Sequence, residues 1–325
     1  MKRQILITLI TILSFTNIYA QFGMPKAEDA NKIQKRTLLV VLDEVDERLK
    51  KKINKKPEKF QKYADEINLY NENLKSAIEN TWTFSTEIRY VTQTKFLEIK
   101  KDKKQKKLYA YFSNKIQRNP SRIISDSYYA DAPDIYTINI GLADEKKAIH
   151  SMMYSTSHPS EADLTFISQQ FQNLLTSLQQ AEGKKYRKEM KATMAKNSQK
   201  LKTKTLLLDK EFVDKKLISK IDKIYKYDYK LTDRETIDKA ILAKDSKYAY
   251  VRAFPMFQQN GGNKSILKVS KLIYIQYVID AENGEIASYA APASIGLGGN
   301  LATAAKSSNQ STSVKDLEKI VKMIN

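Results

Sequence analysis

The chain has 325 residues, with 56 Lys plus Arg against 37 Asp plus Glu and a formal charge of +19. Its 42% hydrophobic and 29% charged content is that of a globular protein, and its length suggests about two domains. The absence of Cys excludes disulfides, thiolate metal sites, cysteine nucleophiles and cysteine-linked lipids, and only two His exclude a His-rich metal site.

Residues 1–20 read as a secretory signal peptide. Lys2 and Arg3 precede an apolar run from Ile5 to Phe15, and Ala20 suits the position before cleavage. The run is short for a membrane span, and polar Thr16 and Asn17 follow it. Loss of Lys2 and Arg3 with this leader lowers the charge from +19 to +17. The expected location is the periplasm, with secretion as the alternative. No transmembrane segment is expected in the mature chain.

After an N-terminal linker (21–33), Thr37–Leu42 reads as a strand, followed by a helical stretch with Val45, Leu49 and Ile53 at helical spacing. Pro57, tolerated in a first turn, restarts a helix whose stripe is Phe60, Tyr63, Ile67, Tyr70, Leu74 and Ala77. Glu87–Val91 reads as a strand, and Thr92 or Thr94 caps a short helix carrying Phe96 and Ile99. Lys107–Phe112, Asp134–Leu142 and Ala148–Tyr154 read as three further strands. Ser160 and Asp163 form a capping box before a closing stripe of Leu164, Ile167, Phe171, Leu174 and Leu178. Residues 181–202 read as a basic linker with some helical character.

The order then repeats. Thr205-Leu206-Leu207-Leu208 resembles the strand that begins at Thr37, and Lys247-Tyr248-Ala249-Tyr250-Val251 matches Leu108-Tyr109-Ala110-Tyr111-Phe112. The stretch from Leu272 to Tyr289 matches that from Asp134 to Tyr154. Tyr225, Tyr227, Tyr229 and Leu231 alternate as in a strand, and Thr232-Asp233-Arg234-Glu235 reads as a capping box for a helix bearing Ile237, Ala240 and Ile241. Lys247–Phe254 is expected to end at Pro255. Lys271–Asp280 and Glu285–Ala290 flank a tight turn in which Asn283-Gly284 supplies a positive φ. Ser313 and Asp316 cap a last helix with Leu317, Ile320, Val321 and Ile324. The expected fold is therefore α/β with mixed sheets, in two tandem β-α-β-α-β-β-β-α copies over 34–180 and 203–325.

The residues Leu206–Leu208, Thr232–Ile241 and Asp280-Ala281-Glu282-Asn283-Gly284-Glu285-Ile286 resemble the order of a group of envelope domains. These are the anticodon-binding-like domains at the amino end of TolB and in the curli secretion lipoprotein CsgG. The first copy departs from that pattern, with Asp144-Glu145-Lys146-Lys147 and no Gly at the hairpin. The resemblance implies a protein-interaction or assembly module rather than an enzyme, although fold alone does not fix function.

The chemistry-bearing residues favour the same side. His150 lies within a strand and His158 before Pro159, neither beside a nucleophile-elbow pattern. Asp43, Glu44, Asp46 and Glu47 follow the first strand, where α/β sites form, and they open a helix in which Arg48 and Lys50–Lys52 provide ion pairs. Weak divalent-cation binding and a hydrolase built on this cluster with His150 are the sharper alternatives to a solvated helix start. Gly296-Leu297-Gly298-Gly299 lacks the Lys-Ser/Thr of a phosphate loop and reads as surface. Lys100 to Lys107 holds six Lys against one Asp, and with Lys50–Lys62 and Lys184–Lys204 it could build a basic face. Export argues against nucleic acid and for acidic envelope polymers or lipid headgroups. No catalytic, cofactor or metal residue is assigned. The expected function is an exported, non-catalytic interaction or assembly module that binds an envelope protein or itself. The alternative is salt-sensitive binding of an acidic glycan, lipopolysaccharide or anionic membrane.

Overall fold

The computed structural model describes residues 26–46, 57–117, 135–154, 159–180, 185–260, 269–291 and 310–325. The expected leader, the expected helical stretch through Leu49 and Ile53, Glu47, His158 and the Gly296–Gly299 segment lie outside the described residues.

The fold is mixed α/β, and the described residues form two five-stranded sheets. The first unit runs α1 (Ala27–Lys35), β1 (Thr37–Leu42), α2 (Pro57–Thr81), β2 (Ile88–Thr92), α3 (Gln93–Lys101), a 3-10 turn (Gln105–Leu108), β3 (Tyr109–Gln117), β4 (Ile135–Leu142), β5 (His150–Tyr154) and α4 (Glu161–Gln180). The second runs α5 (Lys185–Lys200), β6 (Thr205–Asp209), a 3-10 turn (Lys210–Phe212), α6 (Lys215–Ile218), α7 (Ile221–Ile224), β7 (Tyr229–Thr232), α8 (Arg234–Leu242), β8 (Tyr248–Asn260), β9 (Val269–Asp280), β10 (Ile286–Ala290) and α9 (Val314–Ile324).

Strand order is β2-β1-β3-β4-β5 in one sheet and β7-β6-β8-β9-β10 in the other, the same topology. In each, the first strand pairs parallel with the second and third, and the last pairs are antiparallel. The likeness extends to single bonds. Leu38 N donates to Glu87 O and Leu206 N to Asp228 O, both at 2.9 Å. Ala143 N donates to Tyr109 O and Ala281 N to Tyr248 O, both at 3.1 Å. Arg36 Nη1 bridges Asp144 Oδ1 at 2.5 Å, and at the matching place Lys204 Nζ bridges Asp280 Oδ1 at 2.7 Å and Glu282 Oε2 at 3.7 Å. Each unit thus ties the start of its first strand to its hairpin turn by a basic–acidic bridge.

Both first strands are apolar on two faces, as buried parallel strands require. Leu38 and Val40 turn to the core shared with α1, α2 and α4, whereas Leu39 and Val41 meet Phe96 and Ile99 of α3. In the second unit Leu206 and Leu208 meet Leu317, Ile320 and Ile324 of α9, and Leu207 turns the other way, with Ile237 and Ala240 of α8. The α8 face therefore corresponds to the α3 face. In the second unit that face is covered by α4 of the first unit. Consecutive positions Ala162–Gln169 of α4 are all buried, which is the pattern of a helix enclosed on every side. One apolar core consequently spans both units, from Leu38 and Phe112 through Phe166 to Tyr250 and Phe254.

Five local expectations are corrected. The segment read as an N-terminal linker over 21–33 enters α1, which buries Ala30 and Ile33 in the core. Tyr225 does not begin a strand: it is buried as the C-cap of α7, and the strand starts at Tyr229. The cap of α8 is Asp233, whose side chain accepts from Thr236 N at 2.8 Å, not Thr232. The third strand of the first unit starts at Tyr109, because Gln105–Leu108 forms a 3-10 turn. Pro255 does not end β8, which continues to Asn260 with Pro255 opposite Tyr274. β6 pairs with β8 only as far as Tyr250, so beyond it β8 has an open side, where the missing N–H of proline breaks no ladder. The expected positive φ is present at Gly284 (71°), and Thr92 caps α3 by accepting from Lys95 N. The basic segment after residue 184 carries α5, whose end packs on the second unit: Ser198 Oγ donates to Met323 O and Gln199 Nε2 to Ile324 O. Among the described residues, no helix is long and apolar enough to cross a membrane.

Candidate interaction surface

The seam between the units shows how an α3- or α8-type face is docked. Asp163, in the first turn of α4, is buried and meets two arginines of the second unit. Its Oδ2 lies 2.7 Å from Arg234 Nη2 of α8, and its Oδ1 lies 3.2 Å from Arg252 Nη2 of β8. Asp238, one turn after Arg234, accepts from Arg252 Nη2 at 2.8 Å, lies 3.2 Å from Arg234 Nε, and takes Ser160 Oγ at 3.2 Å. Two aspartates and two arginines thus neutralise one another. Burial pushes both carboxyls up, Asp238 to about 6, and the Arg234 guanidinium opposes the rise. Beside the charges, the Phe166 ring packs on Phe254 with centroids 5.1 Å apart, and Tyr154 meets Phe254 edge-on at 5.3 Å. Gln170 Nε2 donates to Gly284 O, and Lys244 Nζ to Asn80 O.

The corresponding face of the first unit carries different residues. By strand and cap register, Gln93 stands where the second unit has Arg234, Leu97 where it has Asp238, Lys100 where it has Ile241, Ser113 where it has Arg252 and Lys115 where it has Phe254. The helix sits correctly because Phe96 and Ile99 are buried against Leu39, Val41 and Tyr111. Phe96 and Tyr111 stack with centroids 5.1 Å apart, and Lys100 Nζ lies over both rings, at 5.5 and 5.2 Å. The Lys100 ammonium is shifted down, first by burial and then by repulsion from Lys115 and Lys106. Leu97 and Leu108 are exposed at 47% and 60%, beside these lysines. The one acidic residue of the Lys100–Lys107 run, Asp102, is engaged locally: its Oδ1 accepts from Lys104 N and Gln105 N. The face therefore combines mutually repelling cations with exposed leucines.

The other sequence candidates have structural employment. Asn71 accepts from Asp43 N at 2.9 Å and donates to Asp43 O at 3.0 Å, while Asp43 Oδ2 accepts from Asn114 Nδ2 at 3.2 Å. Glu44 Oε2 accepts from Thr94 N in the first turn of α3, and Asp46 N donates to the Tyr63 hydroxyl. His150 packs edge-on against Phe171 at 5.7 Å, and its Nδ1 is buried with no hydrogen-bond partner among the described residues. Burial lowers its pKa to about 4, so the ring is neutral at pH 7. Among the described residues no group of three or more His, Asp or Glu is placed to hold a metal ion. The Asp163–Arg252 and Asp238–Arg234 pairs were not singled out from sequence. Asp163 reads as an ordinary helix cap, and an Arg in a strand of aromatics gives no sign of its partner across the seam. No protein-family model, curated protein or solved structure matches the chain.

Proposed function

We propose that this chain is a non-catalytic interaction protein of the cell envelope. Two α/β units are fixed into one body, and the lysine-rich α3 face of the first unit docks an acidic, partly apolar helical segment of another envelope protein. The observation that carries this reading is positional. The α3 face is the counterpart of the α8 face, and within this same chain the α8 face receives a helix that arrives with a carboxylate, Asp163, in its first turn. The lysines around Lys100 call for the same charge in the guest, and exposed Leu97 and Leu108 offer it apolar contact. The leader at residues 1–20 and the resemblance to envelope domains point to the same compartment and role.

Growth of a chain by stacking further copies through this seam is disfavoured. The closing helix α9 carries Lys319 where α4 has Phe166 and Lys322 where α4 has Gln169, so a second copy would bring lysines onto lysines. A second reading rests on charge alone: an acidic glycan or lipopolysaccharide would satisfy the lysines without using the leucines.

A photo-crosslinking residue at Leu97, carried by the exported chain in its own envelope, tests the proposal. The expected result is a discrete protein adduct that disappears with Lys100→Glu and Lys115→Glu and does not form from exposed Lys239 on α8. Equal adducts from both positions, or a diffuse polysaccharide adduct alone, would reject the protein reading.

A further inference from the structure

A second site lies in the other unit, at the carboxyl end of β6. β7 and β8 flank β6, and the chain crosses from one side to the other through α8. Such a reversal leaves a crevice beyond the carboxyl ends of the strands, the usual ligand position in open α/β sheets. Here the crevice is a cavity of about 200 Å³ bordered by Asp209, Phe212, Val251, Pro255, Gln276 and Thr312. It is smaller than the ~300 Å³ at which drug-sized sites begin, so it suits a compact ligand.

Among the described residues, the side chains of the wall are engaged as follows. Gln276 Nε2 donates to Gln310 O at 2.9 Å, and Gln276 Oε1 accepts from Thr312 Oγ1 at 3.3 Å. Arg234, Arg252 and Asp163, which also border the cavity, are neutralised in the seam. Asp209 is buried, with 7% exposure; its Oδ1 accepts from Glu211 N at 3.1 Å, and its Oδ2 has no hydrogen-bond partner among the described residues. A buried carboxylate oxygen left unpaired costs free energy that a donor would recover. The first unit has Val41 at the matching position, inside an apolar cluster, so this acid is particular to the second unit.

We infer that the cavity binds a small primary ammonium compound, of amino-alcohol or amino-sugar size, with the ammonium paired to the Asp209 carboxylate and the carbon skeleton against Phe212, Val251 and Pro255. The positive charge follows from the aspartate being the acceptor left over once the neighbouring arginines are paired. Size and wall chemistry set the rest.

The test is calorimetric titration of the full mature chain with ethanolamine and with glucosamine, alongside ethylene glycol, glucose and N-acetylglucosamine, which lack the ammonium. The two amines distinguish a headgroup-like source from a sugar source. At least one amine is expected to bind and its neutral analogues not to. Asp209→Asn, which keeps the local cap and the side-chain shape, is expected to bind that amine at least tenfold more weakly with an unchanged melting temperature. Lys100→Glu, on the other unit, should leave amine binding intact, so loss of one function is separable from loss of the other. Amines and neutral analogues binding alike, no binding by either amine, or full binding by Asp209→Asn would each overturn the inference.

Discussion

Asp163 of the first unit and Arg252 of the second face each other across the seam at 3.2 Å, both almost fully buried. The same helix position in the second unit, Asp316, accepts from Ser313, through its backbone N–H at 3.0 Å and its hydroxyl at 2.6 Å. One residue type at one cap position therefore has two different duties.

The duties predict different costs. Asp163→Ala leaves Arg234 and the buried Arg252 sharing one carboxylate, that of Asp238, and should destabilise the chain by about 3 kcal/mol. Asp316→Ala removes half of a capping box and should cost about 1 kcal/mol. Denaturant unfolding of the two variants measures the difference. Equal losses would show that the seam pairs contribute nothing beyond capping.

Gly284 is placed by two constraints at once. Its φ is 71°, and a Cβ there would collide with the Gln169 side chain of α4. Gly284→Ala should lower stability by roughly 1–3 kcal/mol for the backbone conformation, plus the cost of displacing α4. Combining it with Gln169→Ala should relieve the clash with the Gln169 amide group while the Cβ at 169 and the backbone cost remain, a partial rescue that a double-mutant cycle reads directly.

Acid should weaken the fold through His150. Its folded pKa of about 4 lies below the ordinary 6.5, so the unfolded chain takes up the proton first. The stability it contributes is complete above pH 6.5 and is lost as pH falls towards 4, up to about 3 kcal/mol. Asp238 acts in the opposite direction. Raised to about 6 from 3.8, it contributes stability below pH 4 that disappears as pH rises through 6. The two shifts are of similar size and opposite sign, so they should nearly cancel between pH 4 and 6, and His150→Phe should leave the Asp238 slope uncovered, with stability rising as pH falls through that range. Urea melts in which the variant and the unsubstituted chain follow the same pH profile would exclude a titration of His150.

Much of the fold is legible along the chain because the duplication is written in adjacent residues. Thr37–Leu42 against Thr205–Leu208, and the Tyr-Ala-Tyr pairs at 109–111 and 248–250, fall at equivalent register positions of the two sheets. Ser313 with Asp316, and Asn283 before Gly284, are local chemistry and form as their spacing predicts. What could not be read depends on contacts far along the chain. The alternation of Tyr225 and Tyr227 looks like a strand, but burial of Tyr225 in the cluster of Leu201, Leu217 and the α9 residues wins over that pattern. Pro255 reads as a stop only if both sides of β8 are paired. The enclosure of α4 shows in sequence as one apolar stripe, because its second buried side uses Asp163, Thr165 and Gln169, residues that look solvated until a second unit covers them. The lysine face was visible as composition, but its placement opposite the seam required the two sheets.

The most direct test of the central claim, that the α3 face of the first unit is an acid-docking surface, is the affinity of an acidic helical peptide with a leucine stripe across a salt series. Lys100→Glu, Lys106→Glu and Lys115→Glu together should weaken binding at low salt by at least tenfold. Reversal of Lys215, Lys216 and Lys223 in the second unit should leave it nearly unchanged. Equal loss from both triple variants would mean that net charge alone draws the peptide, and the assignment of this face would be wrong.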